Sequence, residues 1–135
     1  MKQIIEAQSI LTLKQTLIDK LIFERFSYDI NGINKDGIIT FHHQINPIDK
    51  LVFKVSLGIT LFSESQYNIN AQISGIFELT EESIMGKKLL TNNAVAILFP
   101  YLRSQLTLLT SQPGFEPVIL PVLNINALLN DVDDK

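Results

Sequence analysis

The chain contains no cysteine. Disulfides, a thiolate nucleophile and any Cys-ligated metal are therefore excluded, and a reducing compartment suits the composition. Charge is also scarce. Charged residues make up 19% of the 135 residues and hydrophobic residues 46%, where about 25% charged is ordinary. No basic run exceeds Lys87-Lys88, and the formal net charge is −3. A nucleic-acid binder needs a basic footprint to displace counterions, so that class is set aside. No window approaches the roughly 18 uninterrupted apolar residues of a membrane span, so membrane insertion is not expected. The opening Met1-Lys2-Gln3-Ile4-Ile5-Glu6 lacks the apolar core and cleavage site of a signal peptide. A cytoplasmic protein is expected.

Catalytic constellations are equally sparse. The six glycines are scattered, and none forms a phosphate-cradling loop. His42 and His43 are adjacent in a strand-like stretch, so their side chains point to opposite faces and cannot share one metal. No serine sits in a nucleophile elbow. Asp29, Asp36 and Asp49 are isolated, and Glu81-Glu82 reads as a dipole-matched helix start rather than an acid pair. Asp131, Asp133 and Asp134 lack the spacing of a calcium loop. No enzyme, no metal and no cofactor is expected.

What is present is apolar pattern. Leu51, Phe53, Val55, Leu57, Ile59 and Leu61 alternate with mostly polar residues, the period of a half-buried strand. Ser63-Glu64-Ser65-Gln66 reads as a turn. Tyr67, Ile69, Ala71, Ile73 and Phe77 then resume the alternation, so the pair predicts an antiparallel hairpin with one apolar face. A shorter strand is expected over Ile38–Ile45. Another is expected over Leu17–Phe26, with Leu17, Leu21 and Phe23 on one face and Ile18, Ile22 and Phe26 on the other, both covered. Ser27–Asp36 is a loop.

After Phe77 the period becomes helical. Thr80 with Glu81 and Glu82 suggests one start, and Thr91-Asn92-Asn93 a second, before a main helix over Ala94–Gln112 that Pro113-Gly114 stops. Pro100 kinks this helix or opens its second half. Phe115–Val122 is extended around Pro117 and Pro121, and Asn124 caps a last helix from Ile125 to about Asp131. The result is one α+β domain spanning residues 1–135. Its four-stranded antiparallel sheet carries a long helix and a short C-terminal helix on one face.

The long helix is apolar nearly all round, and one sheet covers only one side of it. A second subunit is the simplest further cover, with Leu98, Tyr101, Leu102, Leu106 and Leu109 as candidate interface residues. Other apolar residues lie on elements that the helix–sheet core need not cover: the first strand, the Ser27–Asp36 loop and the last helix. Ile22, Phe26, Tyr28, Phe41, Val122, Ile125, Leu128 and Leu129 are the candidates for a groove that takes extended polypeptide. The competing use of such apolar space is a sheet–helix cavity carrying a small molecule or lipid.

Residues Asn92–Leu129 carry Leu98-Phe99-Pro100-Tyr101 with Arg103 on the helix, then Gly114-Phe115-x-Pro117, an apolar-proline run and Asn124-x-x-Ala127-Leu128. Upstream lie Leu21-Ile22-Phe23-Glu24 and Ser74-Gly75-Ile76-Phe77. Over residues 11–130 this pattern resembles the SecB family. The resemblance implies a dimer of dimers and a holdase for unfolded polypeptides or preproteins. It also implies docking to the SecA motor through an acidic sheet surface. In divergent members it implies a dedicated client such as an antitoxin. Here the motor-docking positions match Lys20, Asn68 and Asn70, and only Glu24 keeps its charge. Lys35-Asp36-Gly37 stands where better-known members follow Lys-Asp with a groove-lining tryptophan.

Overall fold

A computed structural model describes residues 10–28, 30–31, 37–122 and 124–133, with side chains as far as Leu129. The elements are β1 (Leu11–Arg25), β2 (Ile38–Asp49), β3 (Val52–Ser63), β4 (Tyr67–Leu79), α1 (Ile84–Thr110) and α2 (Ile125–Asp133). The strands form one antiparallel sheet in the order β1-β4-β3-β2. The two strongest alternating stretches, β3 and β4, take the centre and pair from Val52↔Glu78 to Ser63↔Tyr67. Val55, Leu57, Ile59, Ile69, Ala71, Ile73 and Phe77 point to the helix side and are buried. Lys54, Thr60, Asn68, Asn70 and Gln72 lie on the other face, where Thr60 pairs with Asn70.

The edge strands differ from their sequence expectation. Strand β2 runs on to Asp49 rather than ending at Ile45. Strand β1 begins at Leu11, well before Leu17, and carries register shifts between Leu13 and Gln15 and between Ile18 and Lys20. Each shift inserts a residue and inverts the alternation. Ile18 therefore opposes Ile73 on the helix side, with Leu21 and Phe23, while Leu17 opposes Ser74 on the outer side, with Ile22. Nor is β1 covered on both faces: Ile18, Leu21 and Ile22 stay exposed within the single chain.

One continuous helix replaces the two expected starts. Ser83 has extended backbone and its hydroxyl accepts from the Gly86 amide, which caps α1 at Ile84. Thr80, Glu81 and Glu82 precede the helix, and Thr91-Asn92-Asn93 lie inside it. Pro100 stays within α1. It deprives the Ala96 carbonyl of its helical donor, but Ala96 and Pro100 both face solvent, where water can supply one. The helix ends at Thr110, two residues before Gln112. The buried side chains of α1 are Leu89, Leu90, Ala94, Val95, Leu98, Phe99, Leu102, Leu106 and Thr110, a stripe that faces the sheet. Thr110 Oγ1 accepts from the Val118 amide and Thr107 Oγ1 donates to the Val118 carbonyl, so the extended run after Gly114 is tied along the end of α1.

Candidate functional site

The space between sheet and helix is filled by side chains. Leu57, Ile59, Ile69, Leu98, Leu102 and Leu106 are each 0% exposed. Available apolar surface lies instead at the rims.

One rim lies on the helix side of β2. Phe41 and Ile45 oppose Ile59 and Val55 and are half-buried, and Ile39 beside them is exposed. Helix α2 packs against both α1 and β2. Asn124 starts it: its Oδ1 accepts from the Ala127 amide and its carbonyl from the Leu128 amide. Ile125 and Leu129 are each 3% exposed and belong to the core. They are anchors of α2 rather than groove lining. Leu128, one residue before Leu129, stays 37% exposed, and Val122 is almost fully exposed.

A second apolar surface lies at the outer corner of the sheet. Phe26 and Phe62 meet edge-on with ring centroids 6.3 Å apart. Ile38 opposes Phe62 across the β2–β3 ladder, and Ile22 opposes Asn70 on the same outer face. The eight expected groove residues therefore do not converge. Ile22 and Phe26 are separated by the sheet from Phe41 and α2. Phe62 and Ile38 belong to the outer corner, and the sequence reading passed over both. The missed signal was parity: Phe62 falls on the face of β3 that carries Lys54, Ser56, Gly58 and Thr60.

Tyr28 takes a third place. The Arg25 guanidinium lies 5.9 Å from its ring and 6.0 Å from that of Phe23. Arg25 Nη2 donates to the carbonyls of Gly114, at 3.2 Å, and Pro113, at 3.4 Å. Phe115 is edge-on to both Phe23 and Tyr67. This cluster clasps the loop after α1 to the end of β1. Burial raises the Tyr67 hydroxyl above its ordinary pKa. The Ser27–Asp36 loop, expected to border the groove, lies mostly outside the described residues.

The expected interface residues also divide. Leu98, Leu102 and Leu106 are wholly buried by this chain's own sheet, so they offer a second subunit nothing. Leu109 packs on the core. Tyr101 is 47% exposed, and with Ile97 and Leu108 it forms the uncovered face of α1. A groove of about 560 Å³ runs there between Pro100, Arg103, Ser104, Thr107, Leu108 and Ile119.

Polar chemistry concentrates on the outer sheet face. Ser56 and Ser74 share a buried hydrogen bond of 2.9 Å. The Asp19 carboxylate accepts from Ser74 Oγ and from Gln72 Nε2, with Lys54 Nζ 3.5 Å away. Partial burial raises the Asp19 pKa, but the two hydrogen bonds and the Lys54 charge outweigh it, and the carboxyl sits below its ordinary value. His42 faces outward opposite Gly58, and His43 opposes Leu57 on the helix side, as adjacency in a strand requires. No group of three or more His, Asp or Glu is placed to hold a metal among the described residues. No helix among them is long and apolar enough to cross a membrane.

These features define an α+β domain with a packed helix–sheet core and apolar rims. The chain belongs to the SecB family: the family model described as preprotein translocase subunit SecB matches residues 34–134. It is 33% identical over 91 residues to the protein-export protein SecB of Saccharophagus degradans, covering 63% of this chain and 54% of that one. It is 27% identical over 114 residues to SecB of Nitrosospira multiformis, covering 81% and 67%. An uncharacterized protein of Methanocaldococcus jannaschii is 32% identical over 74 residues, 54% of this chain and 48% of that one. The chain thus spans about half the length of the first two curated relatives it matches. Its fold is similar to that of a SecB-like chaperone of Mycobacterium tuberculosis solved in complex with a peptide from an antitoxin. The TM-score is 0.66 at 14% identity, covering 87% of this chain and 99% of that one.

Proposed function

We propose that this protein is a SecB-type holdase. It binds unfolded polypeptides or preproteins through the rim beside β2 and α2, and it assembles with further copies through the uncovered face of α1. The observation that carries the reading is Leu128. It is exposed on a helix that is anchored by buried neighbours at Ile125 and Leu129 and packs against β2, the strand that carries half-buried Phe41 and Ile45. A rigid apolar rim of that kind suits an extended chain, whose alternate side chains need shallow apolar contacts rather than a deep pocket. Family membership and the fold of a peptide-binding neighbour support it. The client is either a preprotein bound for export or a dedicated partner such as an antitoxin.

The test uses reduced, carboxymethylated α-lactalbumin, which is permanently unfolded. Leu128→Asp and Ile39→Ser, both at exposed rim positions, should weaken its binding while circular dichroism and sedimentation match the parent. Leu129→Asp, at an anchor, should unfold the protein. If Leu128→Asp and Ile39→Ser bind as the parent does, the rim is not the client site. If the parent itself ignores the unfolded protein, the holdase reading fails.

A further inference from the structure

Helix α1 is one-sided in its charge. From Ile84 to Thr110 it carries Lys87, Lys88 and Arg103 and no aspartate or glutamate. Arg103 lines the groove of the uncovered face and is half-buried there. Its guanidinium makes no hydrogen bond or ion pair among the described residues. An acceptor on the same face is also short of a partner. A helical carbonyl accepts from the amide four residues on, and Pro100 has no N–H to give Ala96. Ala96, Pro100, Arg103 and Thr107 follow one another at steps of four, three and four, so they share one face of the helix.

We infer that Arg103 of one copy donates to the Ala96 carbonyl of a second copy, across a two-fold axis at Pro100. This rests on the proposed assembly through α1 and names the contact that orients it. Ala96 and Arg103 are seven residues apart, about 10.5 Å along the helix, and their midpoint falls between Phe99 and Pro100. Two antiparallel copies that cross at this midpoint place each Arg103 opposite the Ala96 of the other. The contact then forms twice, as a self-complementary interface requires.

The chemistry of the face selects this occupant. An arginine sealed into an interface without an acceptor carries the full desolvation cost of a charged donor. With no carboxylate on α1, a second α1 can satisfy it only through neutral oxygens, and Pro100 leaves that of Ala96 open. A guanidinium is planar and weakly hydrated, which suits such a contact better than an ammonium would. Pro100, Leu108 and Ile119 supply apolar wall around it. An unfolded client brings no donor and acceptor at a fixed spacing, whereas a second α1 brings both. Proline inside a helix destabilises the single chain. Here it opens an acceptor that only the assembly uses.

Mixing two variants of the intact protein tests the inference. Arg103→Met removes the donor and keeps the apolar stem; Pro100→Ala returns the Ala96 carbonyl to its own helix. Neither residue belongs to the buried stripe of α1, so circular dichroism should match the parent, and Pro100→Ala should melt no lower. Arg103→Gln replaces the methionine variant if that one misfolds. Each variant alone should associate at least about tenfold more weakly in sedimentation, through two lost charge-assisted hydrogen bonds. Mixed, the two should assemble more tightly than either alone. Arg103 of the Pro100→Ala copy still meets the open Ala96 carbonyl of the Arg103→Met copy. The double variant should associate within about twofold of the single ones, because either change already breaks the pair. Parent-like association of either variant, or a mixture no tighter than its parts, would overturn the contact and leave the assembly reading standing. A parent protein that is monomeric at micromolar concentration would overturn both. Weaker binding of unfolded α-lactalbumin by Arg103→Met, with association unchanged, would give the groove to the client and overturn the inference.

Discussion

Leu98 of α1 seats directly on Gly75 of β4: a methyl group at Gly75 would lie 2.9 Å from Leu98 Cδ2 and 2.6 Å from Phe77 Cε2. Leu13 Cδ1 closes the third side at 2.9 Å. The glycine is the notch that lets the helix approach the sheet. Gly75→Ala should therefore overpack the core and cost about 1–3 kcal/mol. Leu98→Ala should leave a void and cost about 2–5 kcal/mol. Because the two sites touch, the double variant should be more stable than the sum of the single losses implies. Urea denaturation of the four proteins measures the coupling. Strict additivity would refute the contact.

Under the proposed assembly, the face of α1 away from Leu106 meets another subunit. Tyr101→Glu and Leu108→Lys change side chains that are 47% and 65% exposed. They should leave the fold intact and shift sedimentation toward the 15.2 kDa monomer. Leu106→Lys buries an unpaired charge and should cost several kcal/mol, enough to unfold the chain outright. A stable monomer in the parent protein at micromolar concentration would remove the assembly from the proposal.

Asp19 should give the protein an acid limb. Its folded pKa lies below the ordinary value. Its stabilising contribution is therefore fully present above the unfolded pKa near 3.9 and is lost as pH falls through the lower folded value. Asp19→Asn removes this titration and should flatten the fall in stability below about pH 4. At neutral pH it should cost about 1 kcal/mol or less, the scale of a part-exposed ion pair and its hydrogen bonds. Thermal melts at pH 3 to 7 compare the two. An unchanged acid limb in the variant would place the effect elsewhere.

SecA binding is expected to be weak. Lys20 opposes Gln72, Ile22 opposes Asn70 and Glu24 opposes Asn68, so the positions in question do share the outer face of the sheet. One acid among them gives little negative potential for steering a basic partner. Calorimetry at about 0.1 M salt, where charges beyond ~10 Å are screened, should detect no submicromolar affinity. The motor from the same source must be included, because its surface can match this one. Submicromolar binding to it would return the protein to general export.

The central hairpin was legible because β3 and β4 each bury one face, and period two then leaves a direct mark. The end of α1 was nearly legible because Pro113-Gly114, a pair poorly suited to continuing a helix, lies just beyond the Ser111 cap. Its start was misread. Thr80-Glu81-Glu82 and Thr91-Asn92-Asn93 both look like caps, and only the position of the sheet below decides that Ser83 serves. The bulges of β1 left no mark either. A single inserted residue at Asp19 inverts the alternation, and what supports it, Ser74 and Gln72, lies more than fifty residues away.

By itself the sequence determined the class of the fold, the helix and strand content and the family, because these follow from local period and from residues close together in the chain. Tertiary structure decided which apolar residues are core and which are surface. Leu98 and Tyr101 are both apolar on one helix, yet one is sealed by the sheet and the other open. Ile125 and Leu128 divide in the same way on α2. Exposure depends on what lies opposite a side chain, and only the folded packing of distant segments supplies that.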